Sequence, residues 1–330
     1  MSLPLAVKLH SSFLDVSKLE QRPTRDGYGE GLVIAGKADP NLVVLCADLT
    51  ESTRSVVFKK EFPERFVQLG VSEQGMVVIA AGMALAGKVP WIASYAMFCP
   101  GRTWEQVRTN VALNNTNVKI AGAHAGVSVG PDGATHQAIE DIAIMLCIPN
   151  MTVIAPCDMI ETRKAVVAAS KMVGPVYVRF AREKSPVFTT EDTPFQIGKA
   201  EVFRNGKDVA LIACGPLLHN ALLAAEALSK EGIECCVINN HTIKPLDEKT
   251  IIEAVKACGA VVTIEEHQIA GGMGSAVAEL LAQHSPTPQE FVGVHDRFGE
   301  SGTPSELIEA LGMGVGAIQE AARCAVRRKK

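Results

Sequence analysis

The stretch His124-Ala125-Gly126-Val127-Ser128-Val129-Gly130-Pro131-Asp132-Gly133-Ala134-Thr135-His136 concentrates more chemistry than any other part of the 330-residue chain. It sets two imidazoles and a carboxylate around a glycine-punctuated loop. Imidazoles hydrogen-bond hydroxyls and relay protons near neutral pH, and an aspartate accepts a hydroxyl proton. That set suits a polyhydroxylated substrate. Residues 118–123 before the loop read as a buried strand, and residues 135–148 after it as a helix. Ligands of open α/β sheets bind beyond the carboxyl ends of the strands, so the loop falls where chemistry is expected. His136 would sit at the N-terminus of that helix, where the dipole disfavours a charged imidazole. A second stretch, Ala270-Gly271-Gly272-Met273-Gly274-Ser275, follows a strand pattern and opens a helix pattern, with Glu265, Glu266 and His267 nearby. Its spacing misses the G-x-G-x-x-G fingerprint, leaving a tight strand-to-helix turn or a regulatory anion site as its readings.

The elements that position these loops come from hydrophobic periodicity. Apolar runs at 42–45, 66–69, 89–94, 118–123, 151–155 and 176–180 read as strands, with helical patterns between them. Ser72 is placed to cap a helix over 73–86 and Gly87 to end it. Such alternation predicts parallel sheets covered on both faces. Residues 184–208 are polar, contain Pro186 and Pro194 and show no sustained period, so they read as a linker. Strands at 209–213, 233–238, 260–265 and 291–294 then alternate with helices at 216–231, 247–257 and 273–283, and two short helices close the chain. The expected fold class is α/β with two doubly wound domains, at 20–183 and 209–330, after an N-terminal extension over 1–19.

A hydrophobic content of 47%, with 21% charged residues, fits a globular protein with a large core. The net charge of −4 argues against nucleic acid as the main partner, and the basic end Arg327-Arg328-Lys329-Lys330 reads as a solvated tail. The nine cysteines form no C-x-x-C, and most lie in apolar runs, so thiols in a reducing compartment are expected. Cys235 and Cys236 should point to opposite faces of one strand. No zinc-like ligand spacing, signal segment or apolar run of roughly 18 residues is present, so a cytoplasmic protein without a membrane span is expected.

Three motifs then occur in order: Gly70-Val71-Ser72-Glu73-Gln74-Gly75-Met76 with Ala80-Ala81-Gly82-Met83-Ala84, the 124–136 loop, and Pro175-Val176-Tyr177-Val178-Arg179-Phe180-Ala181-Arg182. Together they resemble the C-terminal half of transketolase over nearly the whole chain. The resemblance implies a thiamine diphosphate pyrimidine-binding fold followed by a transketolase C-terminal-like domain. In that family the other half holds the diphosphate through a divalent ion, using a Gly-Asp-Gly motif with a downstream asparagine. That motif is not found here; Arg25-Asp26-Gly27 and Pro131-Asp132-Gly133 only echo it. The chain also begins too close to its pyrimidine-binding region for the other half to fit. The expectation is one subunit of a split transketolase, active only with a separate N-terminal subunit that binds Mg2+ or another divalent ion. Two copies of this chain would form a dimer joined by two partner chains, a heterotetramer.

The resemblance also implies residue roles. Glu73 matches the glutamate that hydrogen-bonds the pyrimidine ring nitrogen of thiamine diphosphate and favours the imino form of its exocyclic nitrogen. Tyr95 and Phe98 match the aromatic pair that stacks on the pyrimidine, where flat apolar rings give contact area at low entropy cost. Gly101 stands where the family has a third aromatic, and Arg102 takes a compensating place, as an arginine does in related deoxyxylulose-phosphate synthases. His124, Asp132 and His136 match substrate-channel residues: the histidines for hydroxyl contacts and proton transfer, Asp132 for the C2 hydroxyl. Arg25, Ser52 and Arg182 match positions that hold the sugar's terminal phosphate, for which arginine forks are suited. Arg179 competes with Arg182 for that role.

The implied activity is transfer of a two-carbon ketol group between sugar phosphates. Pentose phosphates are the usual substrates in such carbohydrate metabolism, and a specialised ketose phosphate is equally compatible. Two alternatives stand beside it: a 2-oxoacid dehydrogenase E1 beta-type subunit, and a non-catalytic subunit kept for assembly or regulation. The paired histidines weigh against the first, and Glu73 together with them weighs against the second.

Overall fold

The computed structural model describes residues 7–329. Residues 1–6 of the expected N-terminal extension and Lys330 of the basic tail lie outside the described residues.

The first half builds six parallel strands, Leu42–Cys46, Phe66–Gln68, Val89–Tyr95, Lys119–Ala123, Thr152–Ile154 and Val176–Phe180. Across the sheet they run from Thr152–Ile154 through Val176–Phe180, Lys119–Ala123, Val89–Tyr95 and Leu42–Cys46 to Phe66–Gln68. Leu42–Cys46 is a continuous apolar run buried at every position, as coverage on both faces requires, and Lys119–Ala123 and Val176–Phe180 are buried throughout although they carry Lys119 and Arg179. A seventh strand, Thr242–Lys244, is lent by the second half and pairs antiparallel with Thr152–Ile154. The second sheet orders Gln289–Val294, Val261–Gln268, Val209–Ala213, Cys235–Asn239 and Glu201–Arg204, and only the last pair is antiparallel. One apolar cluster joins the halves, with Met145, Ile148 and Val153 packed among Ile212, Ile238 and Ile243.

Three expectations need correction. The stretch read as a linker over 184–208 contains two strands. Lys184–Pro186 pairs antiparallel with Gln21–Pro23, and Glu201–Arg204 edges the second sheet. Both are short and lie at edges, where a polar segment without alternation still finds backbone partners.

The helix expected over 135–148 is confined to Asp141–Leu146, after a short 3-10 segment, Val127–Asp132. The Ala138 carbonyl accepts from the Gly126 N–H at 2.7 Å and the Ile139 carbonyl from the Gln268 N–H at 2.8 Å, so the backbone of 135–140 is held in bonds that a helix would need for itself. His136 therefore lies in a turn, its N–H donating to the Gly133 carbonyl at 3.0 Å, and not at a helix N-terminus. Ser72 precedes the Glu73–Leu85 helix as expected, but its side chain makes no capping hydrogen bond.

The glycine-rich turn over 270–275 holds an anion of the protein's own. Glu265 is 1% exposed, and its carboxylate accepts the N–H groups of Met273 and Gly274 at 2.7 and 2.8 Å. These lie at the start of the Met273–His284 helix, which attracts negative charge. A Cβ on Gly272 would fall 2.3 Å from that carboxylate, so the glycine is there to admit Glu265. Cys235 faces one core, with Leu211 and Val237, and Cys236 faces the other, with Ile212 and Ile238. The nine cysteines are all free thiols.

Candidate functional site

The site is assembled by strand ends. Ser52 follows Leu42–Cys46, Glu73 follows Phe66–Gln68, and Tyr95 ends Val89–Tyr95 with Phe98 and Arg102 just beyond. His124, Asp132 and His136 follow Lys119–Ala123, and Arg182 follows Val176–Phe180. Parallel strands put these carboxyl ends along one edge of the sheet. Arg25 enters from the first turn of the Thr24–Ala38 helix.

At one end lies a carboxylate with an aromatic wall. Glu73 is the first residue of its helix and 4% exposed. One of its oxygens accepts from Arg102 Nη1 at 2.9 Å, and Arg102 in turn lies 4.8 Å from the Phe98 ring centroid. Tyr95 and Phe98 stand parallel within 7°, with centroids 5.8 Å apart. The His136 ring is edge-on to both, at 6.1 and 5.5 Å. Beside them opens a cavity of about 520 Å3, lined by Phe98, Gly101, Arg102 and Thr135 among others. Phe98 and the Arg102 guanidinium face it, and Arg102 connects it to buried Glu73.

His124 is the pivot. It is fully buried, its φ of 56° is left-handed, and its ring lies 4.1 Å from that of Tyr95. Nε2 is 3.1 Å from the Ser52 carbonyl, which only accepts, and 3.4 Å from Arg25 Nη1, which only donates; the shorter contact favours the proton on Nε2. Nδ1 is then a bare acceptor, and it is buried without a protein partner. Burial, reinforced by the Arg25 guanidinium, pushes the ring's pKa down from 6.5 to about 3. The imidazole is neutral at physiological pH and acts as a hydrogen-bond acceptor. Because the unfolded chain takes up this proton first, stability falls as pH drops from about 6.5 toward 3. Proton NMR of the His124 ring is expected to show no titration between about pH 5 and 8, and His124→Gln to shallow the acid limb of stability; a His124 midpoint near 6.5 would refute this.

Next to His124 the surface turns cationic. Arg25 Nη1 donates to the Ser52 carbonyl at 2.9 Å, and its Nε is buried with no partner. The Ser52 hydroxyl meets the Tyr95 hydroxyl at 2.8 Å. Arg182 pairs with Asp132 at 2.8 Å, so residues expected at opposite ends of a sugar are held together. A cavity of about 640 Å3 is lined by Arg25, Arg182 and a third arginine, Arg54. Sequence reasoning missed Arg54, although it lies two residues past Ser52 in the same strand-end loop. Burial, and then the charges of Arg54 and Arg182, lower the pKa of Arg25, the sign expected where cations are crowded together. Arg179 is excluded from this cavity. It is 5% exposed, with Nε on Asp141 at 2.8 Å and Nη2 on the Glu266 carbonyl at 2.7 Å.

The fold and site define an α/β protein in which an aromatic and carboxylate pocket adjoins a cationic one along the strand ends of a parallel sheet. The chain belongs to the transketolase family. Residues 20–187 match the transketolase pyrimidine-binding domain, and residues 198–318 match the transketolase C-terminal domain. It is 45% identical to a putative transketolase C-terminal section of Methanocaldococcus jannaschii over 88% of this chain and 92% of that one. It is 39% identical to a 6-deoxy-6-sulfo-D-fructose transketolase subunit of a Clostridium species, over 94% of this chain and 97% of that protein. Against human transketolase the identity is 37% over 91% of this chain, which spans 48% of the human protein. Among solved structures, a split gene transketolase described as an inactive β4 tetramer superposes with a TM-score of 0.88 at 42% identity, covering 93% of this chain and 99% of that one. None of the described helices is long and apolar enough to cross a membrane.

Proposed function

We propose that this chain is the C-terminal subunit of a split transketolase, moving a two-carbon ketol group between sugar phosphates once a separate N-terminal subunit completes the site. The observation that carries this is the single line of strand-end residues running from buried Glu73, past Tyr95, Phe98 and His124, to the arginine cavity. It matches in order a flat cofactor ring, a polyol and a terminal anion. The near full-length match to a relative described as a C-terminal section, and to a split enzyme described as inactive in its β4 form, supports the need for a partner.

The residues present fit the pyrimidine end of thiamine diphosphate. Glu73 has one oxygen on Arg102 and the other without a hydrogen bond among the described residues, and Phe98 lines the neighbouring cavity. When bound, the cofactor supplies the carbon nucleophile that carries the two-carbon unit. Its diphosphate and divalent ion are assigned to the partner subunit. Glu73 holds a proton against the pyrimidine nitrogen, and Tyr95 and Phe98 orient the ring. His124 Nδ1 accepts a hydrogen bond from a sugar hydroxyl. His136 is half-buried, with Nδ1 at 2.9 Å from the Thr135 hydroxyl and Nε2 open to exchange a proton with the substrate. Asp132 meets the C2 hydroxyl once substrate loosens its hold on Arg182, and Arg25, Ser52 and Arg182 hold the terminal phosphate.

The test is ketol transfer by the purified chain with thiamine diphosphate and magnesium, alone and mixed with the N-terminal subunit encoded beside it. Turnover only in the mixture is expected. Turnover by this chain alone would refute completion in trans. A stable but silent complex, tested also with 2-oxoacids, would favour the oxoacid dehydrogenase or non-catalytic alternatives.

A further inference from the structure

Arg54 occupies a position that a glycine would fill with less strain. Its φ of +69° is left-handed, a region unfavourable to a side chain bearing Cβ. It is held there from two sides. Asp26 Oδ1 accepts from its Nε at 2.8 Å. Gly29 lets the Thr24–Ala38 helix approach, since a Cβ on Gly29 would stand 3.1 Å from both Arg54 Cβ and Arg54 O. With Nε engaged, the two terminal nitrogens of the fork have no hydrogen-bond partner among the described residues, and Arg54 lines the cavity shared with Arg25 and Arg182. A strained residue that persists because its surroundings fix it marks a site where the side chain is used.

The charge of that cavity is specific. Its lining contains Arg22, Arg25, Arg54, Arg182 and Lys184 against Glu20, Asp26 and Glu183, but Arg22 is also engaged by Glu30 and Arg182 by Asp132, so the guanidiniums with donors left for a ligand are those of Arg25 and Arg54. The 15-residue Thr24–Ala38 helix also starts at its wall, with Pro23 as N-cap and no side chain capping its first N–H groups. An uncapped helix start adds partial positive charge and free donors.

We propose that Arg54 is a specificity-determining residue and that this cavity selects a doubly charged tetrahedral terminal group, a phosphate monoester dianion, over a singly charged sulfonate. This rests on the transketolase reading for the substrate's sugar, but not for the anion. A doubly charged group is attracted about twice as strongly as a singly charged one by the same guanidiniums, and the free fork of Arg54 gives phosphate a bidentate partner in addition to Arg25 and Arg182.

The experiment has two arms. In the first, inorganic phosphate at pH 8 and methanesulfonate are titrated into this chain alone, with binding read from arginine side-chain NMR signals. Phosphate is expected to bind at least about tenfold more tightly than methanesulfonate, and Arg54→Met to reduce that preference about tenfold or more, with Arg54→Lys between the two. Equal affinity for the two anions, or an Arg54→Met preference equal to wild type, overturns the proposal, with or without turnover. Should Arg54→Met fail to fold, Arg54→Lys keeps the charge and removes the fork, and an unchanged preference there overturns the bidentate role. In the second arm, the complex with its partner is given a phosphorylated ketose, its sulfonated analogue and the unphosphorylated sugar. The ratio of kcat/KM for phosphorylated over sulfonated donor is expected to fall about 10- to 100-fold in Arg54→Met, through KM. A wild-type preference for the sulfonated donor overturns the proposal. A wild-type complex inactive on all three donors overturns the transketolase reading, and the first arm alone then decides the anion.

Discussion

In the assembled enzyme, Glu73→Ala is expected to lower ketol transfer by about 100- to 10,000-fold, the range lost when a positioned proton-transfer group is removed. Glu73 is buried beside Arg102 and the aromatic wall, and on the proposed role a methyl group leaves nothing to hold a proton on the cofactor's pyrimidine nitrogen. Its place at the start of the Glu73–Leu85 helix makes a helix-stabilising role the competing explanation. The two separate cleanly. A first-turn glutamate contributes about 0.3–1 kcal/mol to its helix, too little to unfold the subunit or release its partner. Normal assembly with turnover lost supports the catalytic role. Unchanged turnover would sink it, and loss of the complex would return Glu73 to the helix.

The second large effect lies beneath the site. Asp141→Ala leaves the Arg179 guanidinium, 5% exposed, without its counter-charge and removes the acceptor of the Tyr177 hydroxyl at 2.7 Å. Breaking a buried pair from one side costs about 3–5 kcal/mol, because the surviving charge stays buried. That corresponds to a fall in Tm on the order of 10 °C. Arg182→Ala breaks the Asp132 pair, whose side chains are 31% and 30% exposed, and its expected cost is below about 1 kcal/mol. Arg182→Ala should instead raise KM for a phosphorylated donor. Denaturant unfolding of the two variants side by side checks this, and equal destabilisation would undo the division between interior and substrate-facing arginines. Arg179 also donates to the Glu266 carbonyl, so the same cation links the first sheet to the second.

These two cases show where sequence reading succeeds and where it stops. The place of Glu73, first in a helix beyond a strand end, was legible because its neighbours, a strand, a turn and an apolar helix, are local and repeat a known motif. Arg179 and Arg182 were not separable, since they lie three positions apart at a strand end and either register is plausible. Only the partner across 38 residues, Asp141, assigns Arg179 inward. Arg54 escaped notice because its nearness to Ser52 in one loop does not tell which way its side chain faces. Its position depends on Asp26 and Gly29, which belong to a different helix. The helix expected over 135–148 failed for a similar reason. Apolar spacing there is helical, but the bridge between Ala125 and Ala138 and the bond from Gln268 to the Ile139 carbonyl hold the start of that stretch against distant strands instead.

The alternation of strands and helices, the parallel sheets that alternation requires, and the loops that must lie at strand ends all follow from local patterning. The residue types available there are read from the sequence in the same way, because local apolar patterning and short motifs depend on near neighbours alone. Tertiary structure decided which charges face ligand and which face each other. It gave Arg179 to Asp141, seated Glu265 in the glycine-rich turn, placed Arg102 against Glu73, and moved the Thr242–Lys244 strand onto the first sheet. Those outcomes rest on contacts between residues distant in sequence, where burial sets the strength of each charge interaction, and no local pattern carries that information.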